Sequence, residues 1–196
     1  MTRTLLHVLA AALACTALRA AAATITGTIT MNGQPAAGII VYFDNGEPTD
    51  TAPAPDAVVM DQHNLQFVPT LLPVVAGTTI AFTNGDDIQH NVFSPSAIAG
   101  KFDLGAYGPG AKRSVTLTEP GEVVVLCNIH MEMEAHIIVL RQPYFCVTKA
   151  DGSYRIPDVP PGTYRAEVWR AHTLPSGASV TVTGDGDATL DLAIAQ

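Results

Sequence analysis

The chain has 196 residues, is 47% hydrophobic and only 14% charged, and carries a formal net charge of −8. That acidity argues against nucleic acid or an anionic membrane surface as a partner, and it would suit a basic protein. The length allows one large domain or two small ones.

The first 23 residues, MTRTLLHVLAAALACTALRAAAA, read as a secretory signal peptide. Arg3 supplies the basic start, Leu5 to Leu18 the apolar stretch, and the alanine run a cleavage site near Ala23. The stretch is too short to span a bilayer, and no later segment is long and apolar enough. A lipid anchor at Cys15 and an uncleaved anchor are the other readings, though the residues before Cys15, ALA, lack the usual leucine three back. A cleaved leader implies an exported, soluble chain, most simply in a bacterial periplasm. It removes Arg3 and Arg19 but no acid, so the remainder is more negative still. Cys127 and Cys146 survive; in an oxidising compartment a disulfide between them is the bland reading, set against a metal reading of Cys127 that the neighbouring His and Met favour.

The rest reads as all-β: short runs of valine, isoleucine and threonine, punctuated by glycine, proline, asparagine and aspartate. TITGTITMNGQPAAGIIVYFDNG reads as two strands joined at NGQPAAG, and PTDTAPAPDA (48–57) as a linker. LQFVPTLLPVVAGTTIAFTNGD places strands on either side of Gly77, and AKRSVTLTEPGEVVVLC two more around a Pro-Gly turn. AHIIVL is a further strand. YFCVTKADGSYRIPDVPPGTYRAEVW turns at Asp151-Gly152 and Pro161-Gly162, and ASVTVTGDGDATLDLAI reads as a closing hairpin around GDGD.

CNIHMEM (127–133) places a thiol, an imidazole and two thioethers within seven positions. Cys127 follows the strand EVVVL, and His130 lies on the loop after it. A rigidly held metal needs ligands from more than one segment, and His90, in the polar loop NGDDIQHNVFS, is the upstream candidate. The set is then His90, Cys127, His130 and Met133, with Met131 as the rival thioether. Thiolate and thioether are soft donors, and imidazole suits copper. Two histidines, a cysteine and a weak axial methionine form the blue-copper arrangement. Zinc rarely takes thioether, iron–sulfur clusters need more cysteines, and calcium needs oxygen donors, for which DGS and GDGD complete no binding loop.

His136, with Glu132 or Glu134, suggests a harder and more open site, unless alternation turns His136 outward from its strand. His63 reads as a surface histidine and His172 as exposed. Trp169 and Tyr164 read as core of the terminal sandwich, and Cys146 as a small buried residue there. Asp86, Asp87, Glu132 and Glu134 read either as a docking surface for a basic partner or as solvated loop charges.

Two resemblances bear on these readings. ITGTITMNGQPAAGIIVYF, VTKADGSYRIPDVPPGTYRAEVW and the last segment resemble the carboxypeptidase regulatory-like, transthyretin-like β-sandwich, whose segments are nearly contiguous in that family. Here about a hundred residues separate them. This implies a discontinuous sandwich, 24–55 and 142–196, interrupted by a domain at 56–141; tandem domains sharing edge strands are the alternative. The middle segment, through VPTLLPVVAGTTIAFTNGD, His90-Asn91 and Cys127-Asn-Ile-His130-Met-Glu-Met133, resembles the cupredoxins, with a short amicyanin-like ligand loop. The resemblance implies a Greek-key β-sandwich holding one copper ion. It implies Met133 rather than Met131 as the axial donor, and His130 as the exposed edge. Asn91 is implied to link the two ligand loops by hydrogen bonds.

The function expected is single-electron transfer between redox partner proteins. A copper chaperone or store using Met131, His136 and His63 is the alternative. A copper enzyme is a weaker reading, since no catalytic triad, nucleophile elbow or phosphate loop is present. Fold analogy alone does not establish a binding role for the outer sandwich.

Overall fold

The computed structural model describes residues 22–47, 53, 56–97, 100–170, 176–183 and 186–194. Among them there are strands and no helix, as the short β-branched runs lead one to expect. Three strands come first: β1 (Ala23–Met31), β2 (Gln34–Pro35) and β3 (Ile40–Asp44). Nine follow: β4 (Val58–His63), β5 (Gln66–Val68), β6 (Leu71–Val75), β7 (Thr78–Asn84), β8 (His90–Ser94), β9 (Phe102–Tyr107), β10 (Lys112–Leu117), β11 (Gly121–Leu126) and β12 (Glu134–Leu140). Six more complete the set: β13 (Phe145–Val147), β14 (Ser153–Val159), β15 (Gly162–Trp169), β16 (Ser176–Val182), β17 (Ala188–Thr189) and β18 (Leu192–Ile194).

The middle nine form two sheets, ordered β10-β7-β4-β5 and β6-β12-β11-β8-β9. Side chains alternate across each strand. Ile80 and Phe82 of β7, Val123 and Val125 of β11, and Ala135, Ile137 and Val139 of β12 therefore share one core with Met60 and Phe67. These inward rows run past the strand ends at the same spacing of two. Cys127 continues the row of Val123 and Val125, and Met133 precedes Ala135, so both point into the same end of the core. The hairpin of β4 and β5 and the edge strand β9 were not expected from the sequence. In β9 the alternation fails at Gly105, whose φ of 69° breaks the extended run.

The remaining strands pair with one another across the middle segment. β1 pairs antiparallel with β14, Ile25 opposite Ile156, while β3 lies between β13 and β15. Ile25, Ile29, Val41, Phe43, Ile156 and Tyr164 lie in their common core. Gly27 allows a close approach: a Cβ there would fall 1.9 Å from the carbonyl oxygen of Leu190. Gly27→Ala is expected to lower stability by about 1–3 kcal/mol through overpacking, measured by denaturant unfolding.

The expected closing hairpin does not form. β16 pairs along β15, whereas β17 and β18 run parallel to β1. Asp187, from the expected turn, and Asp191, from the arm after it, hold them there. Asp187 Oδ1 accepts the amide of Thr24 at 3.0 Å, and Asp191 Oδ1 accepts the amide of Thr28 at 2.8 Å. The chain thus changes sheets between Val182 and Ala188, leaving β15 for β1.

Trp169 also departs from expectation. On β15, Tyr164, Ala166 and Val168 face the core of their own sandwich, which turns Trp169 outward. It packs in a separate cluster with Ile40 of β3 and with Ile138 and Leu140 of β12. That seam joins the two bodies and buries β12 on both faces, so AHIIVL is a nearly continuous apolar run. Where the chain crosses between bodies, Arg141 Nη1 donates to Asp44 Oδ2 at 3.1 Å, and Gln142 Nε2 donates to Asn45 Oδ1 at 2.8 Å. No helix among the described residues is long and apolar enough to cross a membrane.

Candidate metal centre

The seven residues between β11 and β12 close tightly on themselves. The Cys127 amide donates to the Met133 carbonyl at 3.3 Å, and the Met133 amide donates to the His130 carbonyl at 3.1 Å. Cys127 and Met133 are 3% and 1% exposed, while His130 is only half-buried at the turn. His90 is not on a polar loop but opens β8, fully buried.

These elements converge. His90, Cys127 and His130 each offer a donor atom, and all three atoms lie within 4.8 Å of one another. The Nδ1 atoms of His90 and His130 are 3.0 Å apart, and Cys127 Sγ is 4.0 Å from His130 Nδ1. At that distance one ring N–H can donate to the other nitrogen, and the same spacing leaves each nitrogen about 2 Å from a metal ion placed between them. The donors are soft or imidazole, and the nearest carboxylate, Asp86, faces Nε2 of His90 rather than Nδ1. The set therefore fits copper. Of the two methionines, Met131 is 85% exposed, so Met133 is the one inside.

Around these donors lies a hydrogen-bonded layer. Asp86 Oδ2 lies 2.9 Å from His90 Nε2, and its two oxygens accept the amides of Asn64 and Leu65 at 2.6 and 3.1 Å. Burial alone would raise the Asp86 pKa; the Leu65 and Asn64 amides and the His90 ring outweigh it and hold the carboxyl below its ordinary value. Asp86 thus belongs to the inner network and not to a docking surface. Asn84, also buried, shapes the loop by donating to the Ile88 and Tyr107 carbonyls at 2.9 and 3.2 Å. Sequence reasoning gave these two residues no such role; the only trace is an acid four positions before a histidine.

Asn91 links the two ligand segments. Its Oδ1 accepts the amide of Asn128, next to Cys127, at 2.7 Å. Asn91→Ala leaves that amide without its acceptor and is expected to weaken copper binding roughly 10-fold, read by competition with a chelator of known affinity.

The other candidates lie elsewhere. His136 faces the seam, with Nδ1 2.7 Å from Glu122 and Nε2 3.3 Å from Glu134, and its ring is 5.3 Å from that of Trp169. His63 is exposed at the end of β4, and His172 falls outside the described residues. Both cysteines are free thiols, in keeping with the metal reading of Cys127 rather than a disulfide, and Cys146 packs only partly buried against the terminal core. Tyr164 is in that core, its hydroxyl donating to the Pro160 carbonyl at 3.1 Å.

Comparison with known proteins identifies the fold of this centre. Residues 55–140 match the plastocyanin/azurin family of copper binding proteins. Residues 141–190 match domain II of polysaccharide lyase family 4. The chloroplastic plastocyanin of Fritillaria agrestis is 35% identical over 77 residues, covering 34% of this chain and 46% of that protein. The chain thus spans less than half the length of that relative. Among solved structures, a copper-containing nitrite reductase from Thermus scotoductus SA-01 is 24% identical with a TM-score of 0.43, covering 58% of this chain and 28% of that one. Amicyanin from Paracoccus versutus is 23% identical with a TM-score of 0.40, covering 51% of this chain and 97% of that one. The family match, the plastocyanin relative and the donor cluster agree: residues 55–140 are a cupredoxin, a copper-binding domain of the plastocyanin/azurin family.

Proposed function

We propose that this is an exported, mononuclear blue copper protein that carries single electrons between redox partner proteins, its copper held by His90, Cys127, His130 and Met133. The observation that supports this most is that the protein can fill the donor set by itself. Three donor atoms lie within 4.8 Å of one another, and a buried methionine immediately precedes the adjoining strand. Bound there, copper supplies a one-electron couple. The chain's part is to keep the donors still. Asp86 holds the His90 ring, and the ends of β11 and β12 hold Cys127 and Met133.

Half-buried His130 provides the edge toward a partner. Beside it in sequence, Ile129 and Met131 are 44% and 85% exposed, and Ile88, shortly before His90, is 44% exposed. A small apolar surface of this kind suits a brief encounter. Exposed Asp87 and Glu132 favour a basic partner. The chain is read as a discontinuous sandwich, 24–55 and 142–196, interrupted by the copper domain at 56–141. Residues 1–21 of the leader fall outside the described residues; its composition is what supports a periplasmic location.

Titration of the purified protein with Cu(II), followed by visible absorption, EPR and voltammetry, tests the reading. The expected result is one ion per chain, an intense blue band and a reversible one-electron couple. Weak colour, several bound ions and no defined couple would replace the carrier with a copper store.

A further inference from the structure

The turn between β4 and β5 places a leucine where its hairpin geometry favours glycine. His63 pairs with Gln66, so Asn64 and Leu65 form a two-residue turn, with φ of 54° and 58°. Such turns favour asparagine followed by glycine. A leucine at positive φ is a steric outlier that persists only where its surroundings hold it. The Leu65 side chain, 37% exposed, offers little packing to do so. What is engaged is the backbone. Asn64 donates its amide to Asp86 Oδ1 and Leu65 donates its amide to Oδ2, the same oxygen that lies 2.9 Å from His90 Nε2.

We infer that the Asn64–Leu65 turn and Asp86 form a positioning device for His90, in which two backbone amides clamp both carboxylate oxygens so that Asp86 fixes the tautomer and direction of the imidazole. A carboxylate bonded through one oxygen can swing about its side-chain torsions. One clamped through both presents Oδ2 in a single direction. It then accepts the proton on Nε2 and leaves the Nδ1 lone pair aimed at His130 and Cys127. The amide of Asp86 is itself accepted by Asn84 Oδ1 at 3.0 Å, so the carboxylate's own backbone is tethered as well. An exposed hairpin outside the ligand-bearing segments thereby sets the geometry of a buried donor. The inference rests on His90 being a copper ligand; the clamp itself can be tested without metal.

The test uses the full chain with ¹⁵N-labelled histidine, in the metal-free and Cu(I)-loaded forms, and three variants. These are Asp86→Asn, a two-glycine insertion between Asn64 and Leu65, and His90→Ala. Long-range ¹H–¹⁵N spectra of the native metal-free protein are expected to show His90 as a single tautomer protonated at Nε2. Asp86→Asn and the insertion are expected to give a tautomer mixture and roughly 10-fold weaker Cu(II) binding. A merely structural hairpin would lower the melting temperature and leave the tautomer alone. A native-like tautomer with affinity within about twofold in either folded variant would overturn the proposal. If the insertion does not fold, Asp86→Asn, which keeps the side chain's shape, decides it. Undiminished copper binding in His90→Ala would instead remove the ligand assignment, a different failure from that of the clamp.

Discussion

Replacing Cys127 with serine is expected to abolish the blue absorption of the Cu(II) protein and to weaken copper binding by on the order of 100-fold or more. The thiolate is the softest donor in the cluster, and the band comes from its sulfur, so no rearrangement of the remaining imidazoles can restore it. The fold adds a second effect. Cys127 is 3% exposed at the end of an inward row of valines. A hydroxyl placed there costs about 1–3 kcal/mol if it finds no partner, so the metal-free serine variant is also expected to melt lower. Cys127→Ala separates the two effects, losing the colour equally without burying a hydroxyl. Absorption and EPR of the copper forms and melts of the metal-free forms make the comparison. A thiolate band persisting in either variant would remove Cys127 from the site.

Trp169→Ala is the other large effect. The ring fills the seam among Ile40, Ile138 and Leu140 and stacks at a tilt on His136. Truncating a buried tryptophan costs about 3–5 kcal/mol, against a typical total stability of about 5–15 kcal/mol. For a chain of this size the melting temperature should fall by roughly 6–20 °C. The donors lie at the end of the opposite face of β12, so the blue band is expected to keep its position. Calorimetry distinguishes the mechanisms. A coupled seam gives one transition that splits in two once weakened, whereas an unchanged melting temperature would show that the two bodies hold together without it.

What could be read from sequence was what depends on local pattern. β-branched runs between glycine and proline mark strands wherever a strand is packed on one face, and the all-β class follows from them. Donor chemistry is legible too: a thiol, imidazoles and thioethers narrow the metal before any coordinate is known, and the structure brings the donor atoms of His90, Cys127 and His130 together. What could not be read depends on register between distant segments. Asp86 has the composition of a solvated loop acid, and only the placement of the β4–β5 turn against it makes it a clamp. Asp187 looks like a turn residue until β1 is laid beside it. Trp169 was assigned to a core by residue type, although the alternation of Tyr164, Ala166 and Val168 already turned it the other way.

The pairing of early strands with late ones has a consequence for how the chain acquires its shape. β1 and β3 leave the ribosome well before their partners β13, β14 and β15, and a contact such as Thr148 to Ala36 spans 112 residues. Closing an unfolded loop of that length is entropically costly and slow. Once β4 to β12 have formed, the free chain between β3 and β13 shrinks to the connecting residues 45–57 and 141–144. Each halving of loop length lowers the closure cost by about 0.6 kcal/mol, so the whole reduction is about 1.5 kcal/mol. Copper that stabilises the inner domain is therefore expected to hasten assembly of a sandwich it does not touch, so that the refolding rate of the terminal strands would rise with metal loading.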